Sequence, residues 1–248
     1  MRHLASKQKT FKNKTLVKKN LLIVGAIVAL ILFLDQYLKI YIKTNFIPGE
    51  EKPLFGSWLV LDYIENPGMA FGTTFGSKMW HKLALSIFRV IAISGIAYYF
   101  VKQAKLGAKR EFLIAIGLIL AGATGNLIDS MFYDFIFEFD PCMSYNHLEG
   151  SGIKTECPPF GVFETRHTGF LLGNVVDMFK FSGSWPEWVP FLGGAEIFPA
   201  IWNLADFSIS CGIILIFIRQ KTFFPKDPIK NTGEQSTEVV EPSNVIPE

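Results

Sequence analysis

An all-α membrane protein that crosses the bilayer four times is the fold the sequence predicts, and three observations carry the prediction. The apolar residues are gathered into four long runs, the basic residues sit in alternate connections between those runs, and the intramembrane polar residues collect near one depth. Half of the 248 residues are hydrophobic and 24 are Phe. A soluble domain of that length also buries a core, so the distribution of apolar residues decides the class, not their total. The runs are LLIVGAIVALILFL (Leu21–Leu34), LALSIFRVIAISGIAYYFV (Leu83–Val101), FLIAIGLILAGATGNLI (Phe112–Ile128) and IFPAIWNLADFSISCGIILIFI (Ile197–Ile218). Each approaches or reaches the roughly 20 residues a spanning helix needs.

The formal net charge of +2 says little, but its placement orients the chain. Lys7, Lys9, Lys12, Lys14, Lys18 and Lys19 precede the first run, and Lys102, Lys105, Lys109 and Arg110 separate the second from the third. Arg219, Lys221 and Lys226 follow the fourth. Four spans place all three groups on one side, which the positive-inside rule makes the cytoplasm. Basic runs beside spans are topology signals, so no nucleic-acid partner is expected. Both termini are then cytoplasmic, with residues 43–82 and 130–196 outside. The first run follows a basic start as a signal peptide does, but DQYLKIYIK comes next, with no small-residue cleavage site, so it is read as a retained span. The expected organisation is a basic cytoplasmic arm at 1–20, a membrane domain at 21–222 and a disordered cytoplasmic tail at 223–248.

The outer segments carry their own signals. Phe46–Lys78 includes SWLVLDYIENPGMAFGTTFG, whose β-rich composition and Asn66-Pro67-Gly68 turn predict a small sheet or hairpin at the membrane surface. Trp185, Trp188 and Trp202 gather just before and at the start of the fourth run, as interfacial anchors do. Cys142 and Cys157 both lie in the second outer segment, where an oxidising compartment permits a bridge. Cys211, in the fourth run, reads as a small buried apolar residue.

Polar residues inside the spans are the functional signal. A charged side chain at the centre of a membrane helix costs on the order of 2.5–3.5 kcal/mol. With the spans given their directions, Asp35/Lys39, Arg89, Asn126/Asp129 and Asn203/Asp206 all fall near the outer face. Asp206 lies seven residues past Pro199, roughly 10 Å along a helix. Asp35/Lys39 are spaced i,i+4, and the other two pairs i,i+3, so each pair shares a helix face. Gly117, Ala121 and Gly125 form a small-residue stripe that permits close packing. Any one pair can be a structural clasp, but convergence from four helices points to a cavity with work to do.

A second carboxylate completes a chemistry. GNVVDMFKF (Gly173–Phe181) is apolar enough to lie along the surface and dip toward that cavity, bringing Asp177 near Asp206. Two carboxylates within reach of each other tend to hold one proton between them, so that one activates water while the other polarises a carbonyl. On these grounds alone the partner of Asp206 is equally Asp129 or Asp35. The alternative is a small transporter or channel, which would carry polar groups through the full depth of the bundle. Here inner halves such as GIILIFI and LLIVGAIVAL are uniformly apolar, and the GxGD motif of one class of intramembrane aspartyl protease does not occur.

DQYLK (Asp35–Lys39), ENPGMAFG (Glu65–Gly72), AGATGNLID (Ala121–Asp129), GNVVDMF (Gly173–Phe179) and NLAD (Asn203–Asp206) together resemble, in order, the motifs of bacterial lipoprotein signal peptidase, signal peptidase II. The resemblance covers roughly residues 20–220. It implies a four-span aspartic endopeptidase of the bacterial inner membrane, working without metal or cofactor near the periplasmic face. Its substrates would be diacylglyceryl-modified prolipoproteins, cut just before the lipidated cysteine, and its inhibitor the cyclic peptide globomycin. The chain is expected to act as a monomer among membrane lipids. The resemblance places the catalytic pair on Asp177 and Asp206. It makes Asp35, Lys39, Asn66, Gly68, Gly122, Asn126, Asp129, Asn203 and Ala205 residues that shape the substrate pocket or orient the pair.

Three departures stand out. Ser130 occupies the place of an arginine usual in that family after the third motif's aspartate, and Arg89 and Arg166 are the candidates to replace it. Phe207 stands where serine is common. The stretch from Asp129 to Asp177 is unusually long, an insertion compatible with a lid, a docking surface or a loop without a role.

Overall fold

The computed structural model describes residues 2–67 and 78–225, with side chains from Thr15 onward. Gly68 and the chain beyond 225, including most of the expected disordered tail, lie outside the described residues. Helix α1 runs over Arg2–Asn45, α2 over Met79–Lys105, α3 over Arg110–Ile136, α4 over Leu204–Ile218 and the short α5 over Gln220–Phe223. Strands β1 (Glu51–Phe55) and β2 (Leu59–Asn66) precede α2, while β3 (Lys154–Cys157), β4 (Gly161–Glu164) and β5 (Val175–Phe181) lie between α3 and α4.

Three stretches are long and apolar enough to cross a membrane: Thr15–Asn45, Met79–Lys105 and Arg110–Ile136. Their outward faces expose Leu22, Phe33, Phe88 and Ile91, side chains that lipid would cover and water would not tolerate as a continuous patch. Each helix outruns its apolar run, because polar residues such as Asp35, Lys39 and Asp129 interrupt the hydropathy but not the backbone ladder. The expected outer segments at 43–82 and 130–196 accordingly begin or end inside helices. The basic arm is likewise helical and continuous with the first span. No Gly or Pro interrupts 2–24, and Lys, Leu and Ala favour helix.

The fourth run departs most from expectation. Helix begins only at Leu204, so α4 has 15 residues, roughly 22 Å at 1.5 Å per residue. Pro199 disfavours helix in the residue before it. Trp202 exchanges backbone hydrogen bonds with Phe179, and Asn203 then serves as N-cap. The placement of Asp206 by counting helical rise from Pro199 therefore does not hold, and Trp202 stands before the helix instead of in it.

Helix α3 is central. Half of its apolar window is buried, against 11% for those of α1 and α2. It meets α4 backbone to backbone. A Cβ on Gly122 would overlap the Ala205 carbonyl oxygen, and one on Gly212 would come within 2.6 Å of the Ala115 oxygen. Gly117 and Gly125, from the small-residue stripe, instead admit Val24 and Asp35 of α1.

The expected hairpin forms as β1 and β2, and β5 adds a third antiparallel strand in the order β1-β2-β5. GNVVDMFKF is thus a sheet strand, not an apolar segment lying on the surface. Asp177 pairs with Ile64, and Val175 with Asn66. Val176 and Met178 pack with Ile42, Tyr63 and Tyr133, which fastens the sheet to the C-terminal ends of α1 and α3. A second apolar cluster of Val24, Phe100, Phe112, Leu113 and Ile116 joins the other ends of α1, α2 and α3. The polar residues lie between the two clusters.

The insertion has structure of its own. Strands β3 and β4 form a hairpin, and Cys142 and Cys157 are disulfide-bonded, as their placement permitted. Arg166, behind that hairpin, grips Asp134 of α3 with two hydrogen bonds of 2.9 and 2.8 Å.

Replacing Gly122 by Val should push α4 off α3. Overpacking typically costs about 1–3 kcal/mol, so a lowered thermal midpoint of the detergent-solubilised protein is expected, with Gly25→Ala, where nothing lies within 4 Å of the added carbon, as the tolerant control.

Candidate active site

Lys39 is the organising side chain. It is wholly buried, and its ammonium lies 3.0 Å from Asp35 and 2.8 Å from Asp129. Its third hydrogen bond, 2.9 Å, goes to Asn126 Oδ1. A buried ammonium so completely paired offsets its desolvation only when every donor has an acceptor, as here. The carboxylates are saturated in turn. Asp35 accepts the Ala205 backbone N–H at 2.9 Å, while Asp129 accepts Gln36 Nε2 at 2.9 Å and the Val176 N–H at 3.4 Å. Through these bonds the ion triad holds both the first turn of α4 and strand β5, the two elements that carry Asp206 and Asp177.

Two asparagines complete the link, and their amide orientations follow from donors that can only donate. Asn126 Oδ1 must face Lys39, so Asn126 Nδ2 points away and donates to Asp206 Oδ1 at 2.8 Å. Asn203 Oδ1 must accept the Asp206 backbone N–H at 2.9 Å, so its Nδ2 donates to Asp177 Oδ1 at 2.6 Å. The Asn203 backbone N–H closes the capping box on Asp206 Oδ2 at 3.3 Å. Asn203 thus touches both carboxylates. It is an N-cap reaching across to a strand, not a member of a helix-face pair with Asp206. Asn66, at the end of β2, donates to Asp177 Oδ2 at 3.1 Å.

Asp177 is 3% exposed. Burial first, and the neighbouring Asp206 carboxylate second, push its acidity up to about 7, against the opposing hydrogen bonds of Asn66 and Asn203. Asp206 is only partly buried. One carboxyl that keeps its proton near neutrality beside a second, more accessible carboxylate is the asymmetry that general acid–base chemistry on water requires.

The structure therefore brings Asp35, Lys39, Asn66, Asn126, Asp129, Asp177, Asn203 and Asp206 into one hydrogen-bonded assembly. Gly122 and Ala205 contribute the close helix contact beneath it, and Gly68 lies outside the described residues. The open choice among Asp177, Asp129 and Asp35 narrows on geometry, since Asp35 and Asp129 are both tied to Lys39. Of the two arginines, Arg166 is committed to Asp134 and does not replace an arginine at 130. Arg89 Nη1 reaches Ser130 Oγ at 3.4 Å. Phe207 is half exposed, with its ring beside Trp202.

Sequence reasoning missed Gln36, which joins Asp35 and Asp129, although it stands inside a quoted motif. It also missed a flanking cluster in which Glu65 accepts from Lys43, from the Tyr63 hydroxyl at 2.8 Å and from Asn174 Nδ2 at 3.3 Å. Lys82 of α2 donates to Asn174 Oδ1 at 2.8 Å. Glu65 sits in a quoted motif, but nothing in the sequence signalled that Lys43 and Lys82 would meet its neighbourhood.

Lys39→Met would leave Asp35 and Asp129 buried without a cation, a loss of about 3–5 kcal/mol. A large fall in thermal stability is expected, with partial recovery when Asp35→Asn and Asp129→Asn are added.

The sequence profile of signal peptidase (SPase) II matches residues 27–222. A lipoprotein signal peptidase of Porphyromonas gingivalis is 38% identical over 236 residues, covering 89% of this chain and 93% of that one. Another, from Amoebophilus asiaticus, is 34% identical over 203 residues, covering 79% and 76%. A bacterial membrane enzyme solved by the in meso method at 2.3 Å shares the fold, with a TM-score of 0.53 at 22% identity over 83% of this chain and 93% of that one. With most of its length matched by that profile and by relatives of nearly the same extent, the chain belongs to the signal peptidase II family.

Proposed function

We propose that this protein is an intramembrane aspartic endopeptidase that removes signal peptides from diacylglyceryl-modified prolipoproteins, with Asp177 and Asp206 as its catalytic pair. The observation that carries this reading is the shared contact of Asn203 with both carboxylates, which sets two acids near one another at one end of the bundle. Family membership disfavours the transporter or channel alternative.

In this reading α4 is the fourth span, both termini are cytoplasmic and the pair lies near the periplasmic face of the inner membrane. The substrate's acyl chains stay in lipid while the segment before its cysteine is held extended. Backbone groups so exposed need partners that lipid does not offer, and the β2 end with Asn66 is placed to supply them. Asp206, ionised and accessible, takes a proton from the attacking water. Asp177, protonated, donates to the scissile carbonyl; as the resulting diol collapses, Asp206 passes the proton it took to the leaving amine and Asp177 recovers one from the diol hydroxyl. Asn126 and Asn203 fix the carboxylate orientations, and the Lys39 triad fixes the asparagines. Globomycin would compete for the same place.

Cleavage of a lipidated prolipoprotein by the purified protein tests the reading. Asp177→Asn and Asp206→Asn should each lower the rate by at least about 10²–10⁴-fold while the protein still inserts, and globomycin should block the wild type. Activity should decline as pH rises beyond about 7, where Asp177 loses its proton. A substantial rate in either Asn variant would refute the assignment.

The same residue has an opposite effect on stability. Asp177 binds its proton more tightly folded, near 7, than unfolded, near about 4. The folded chain thus holds the extra proton between those values and loses that stabilisation as pH rises through them. Asp177→Asn should remove this dependence and be the more stable protein at pH 8, by on the order of 1–3 kcal/mol, as read from thermal unfolding at pH 5 and pH 8.

A further inference from the structure

Helix α2 contributes no carboxylate to the assembly, yet it turns one polar stripe toward it. Lys82, Ser86 and Arg89 follow one another at helical spacing. Lys82 donates to Asn174, the Ser86 hydroxyl donates to the Leu171 carbonyl at 2.7 Å, and Arg89 reaches Ser130 of α3. The Ser130 hydroxyl donates onward to the Asn126 carbonyl at 3.2 Å, so Arg89 arrives at the turn of α3 that carries Asn126 and Asp129. Its guanidinium faces Asp206, Asp129 and Asp177.

The charges around the pair are then countable. Asp35 and Asp129 flank Lys39, and Asp177 and Asp206 face Arg89. With one proton on the catalytic pair, three carboxylates are ionised against the cations Lys39 and Arg89. Lys82 also faces Arg89, but it is hydrogen-bonded to Asn174, with Glu65, Asp134 and Arg166 around it. Without Arg89 the excess negative charge among these groups doubles from one to two, and a second proton on the pair becomes the cheapest remedy. A doubly protonated pair has no base to activate water.

We propose that Arg89 is a positioning residue for the reaction, whose guanidinium supplies the charge that lets the Asp177–Asp206 pair keep a single proton at neutral pH. The role rests on the catalytic reading of that pair. It acts from α2 through space and through Ser130, without a bond to the reacting water.

The test is the pH profile of prolipoprotein cleavage by the full-length protein in detergent. Removing a cation favours the protonated form, so in Arg89→Gln the acid limb should move to higher pH by about one unit or more. At a pH one unit below the wild-type midpoint that is a loss of about tenfold beyond the wild type's own. Arg89→Lys, which keeps the charge, should return the limb toward its original position. Ser130→Asp, which sets an anion against the guanidinium, should shift it the same way as Arg89→Gln and carries the test if that variant does not accumulate. A uniform fall in rate with the limb unmoved, or profiles that superimpose, would overturn the proposal. Failure of the underlying reading would show differently, as activity surviving Asp177→Asn or Asp206→Asn.

Discussion

The buried ammonium of Lys39 is the interaction on which the rest of the structure depends. A lysine with no exposed surface persists only if its charge is met on every side, and Asp35, Asp129 and Asn126 meet it. Those three residues come from α1 and α3, so satisfying one cation fixes the relation of two spans. The same carboxylates then accept backbone N–H groups from Ala205 and Val176. A cost imposed by desolvation is thereby converted into geometry, because α4 and β5 are anchored to one ionic centre at the ends that carry Asp206 and Asp177.

The geometry determines the proton inventory in turn. Lys39 can only donate, so Asn126 must present its oxygen there and its nitrogen to Asp206. A backbone N–H can only donate, so Asn203 must present its oxygen to Asp206 and its nitrogen to Asp177. Neither amide is free to flip, and each donates to one of the two carboxylates. Burial then separates the two acids. The strand residue is buried and holds its proton to about 7, while the helix residue is only partly buried. The small residues follow the same logic, since Gly122 permits the α3–α4 approach that lets Asn126 reach Asp206 at all.

Much of this was legible in the sequence where a side chain is expensive in lipid. Asp35, Lys39, Asn126, Asp129, Asn203 and Asp206 stand out because an apolar run makes any polar residue conspicuous, and their common depth needs only span directions. Asp177 was harder. Its strand is buried on both faces, so VVDMFKF lacks the alternation that marks a half-exposed strand, and its pairing with β2 is a contact across more than a hundred residues. The start of α4 was misread for a related reason. Hydropathy continues smoothly from Ile197 to Ile218, whereas the helix start is set by Pro199, by the Trp202–Phe179 backbone pairing and by the Asn203 cap. In the flanking cluster Glu65 and Asn174 stand in recognisable motifs, but Lys43 and Lys82 were invisible, since nothing along the chain tells one surface lysine from another that will find a buried partner.

The account stands on two carboxylates that share one proton, and the carboxyl stretching band in infrared spectra reports that proton directly. Titrated in detergent, the wild type should show a protonated carboxyl band that disappears as pH passes about 7 and is lost in Asp177→Asn. In Asp206→Asn the same band should persist but titrate at lower pH, because the neighbouring negative charge that raised it is gone. A band that titrates identically with Asp206 present or replaced would show two independent acids and contradict the shared-proton pair.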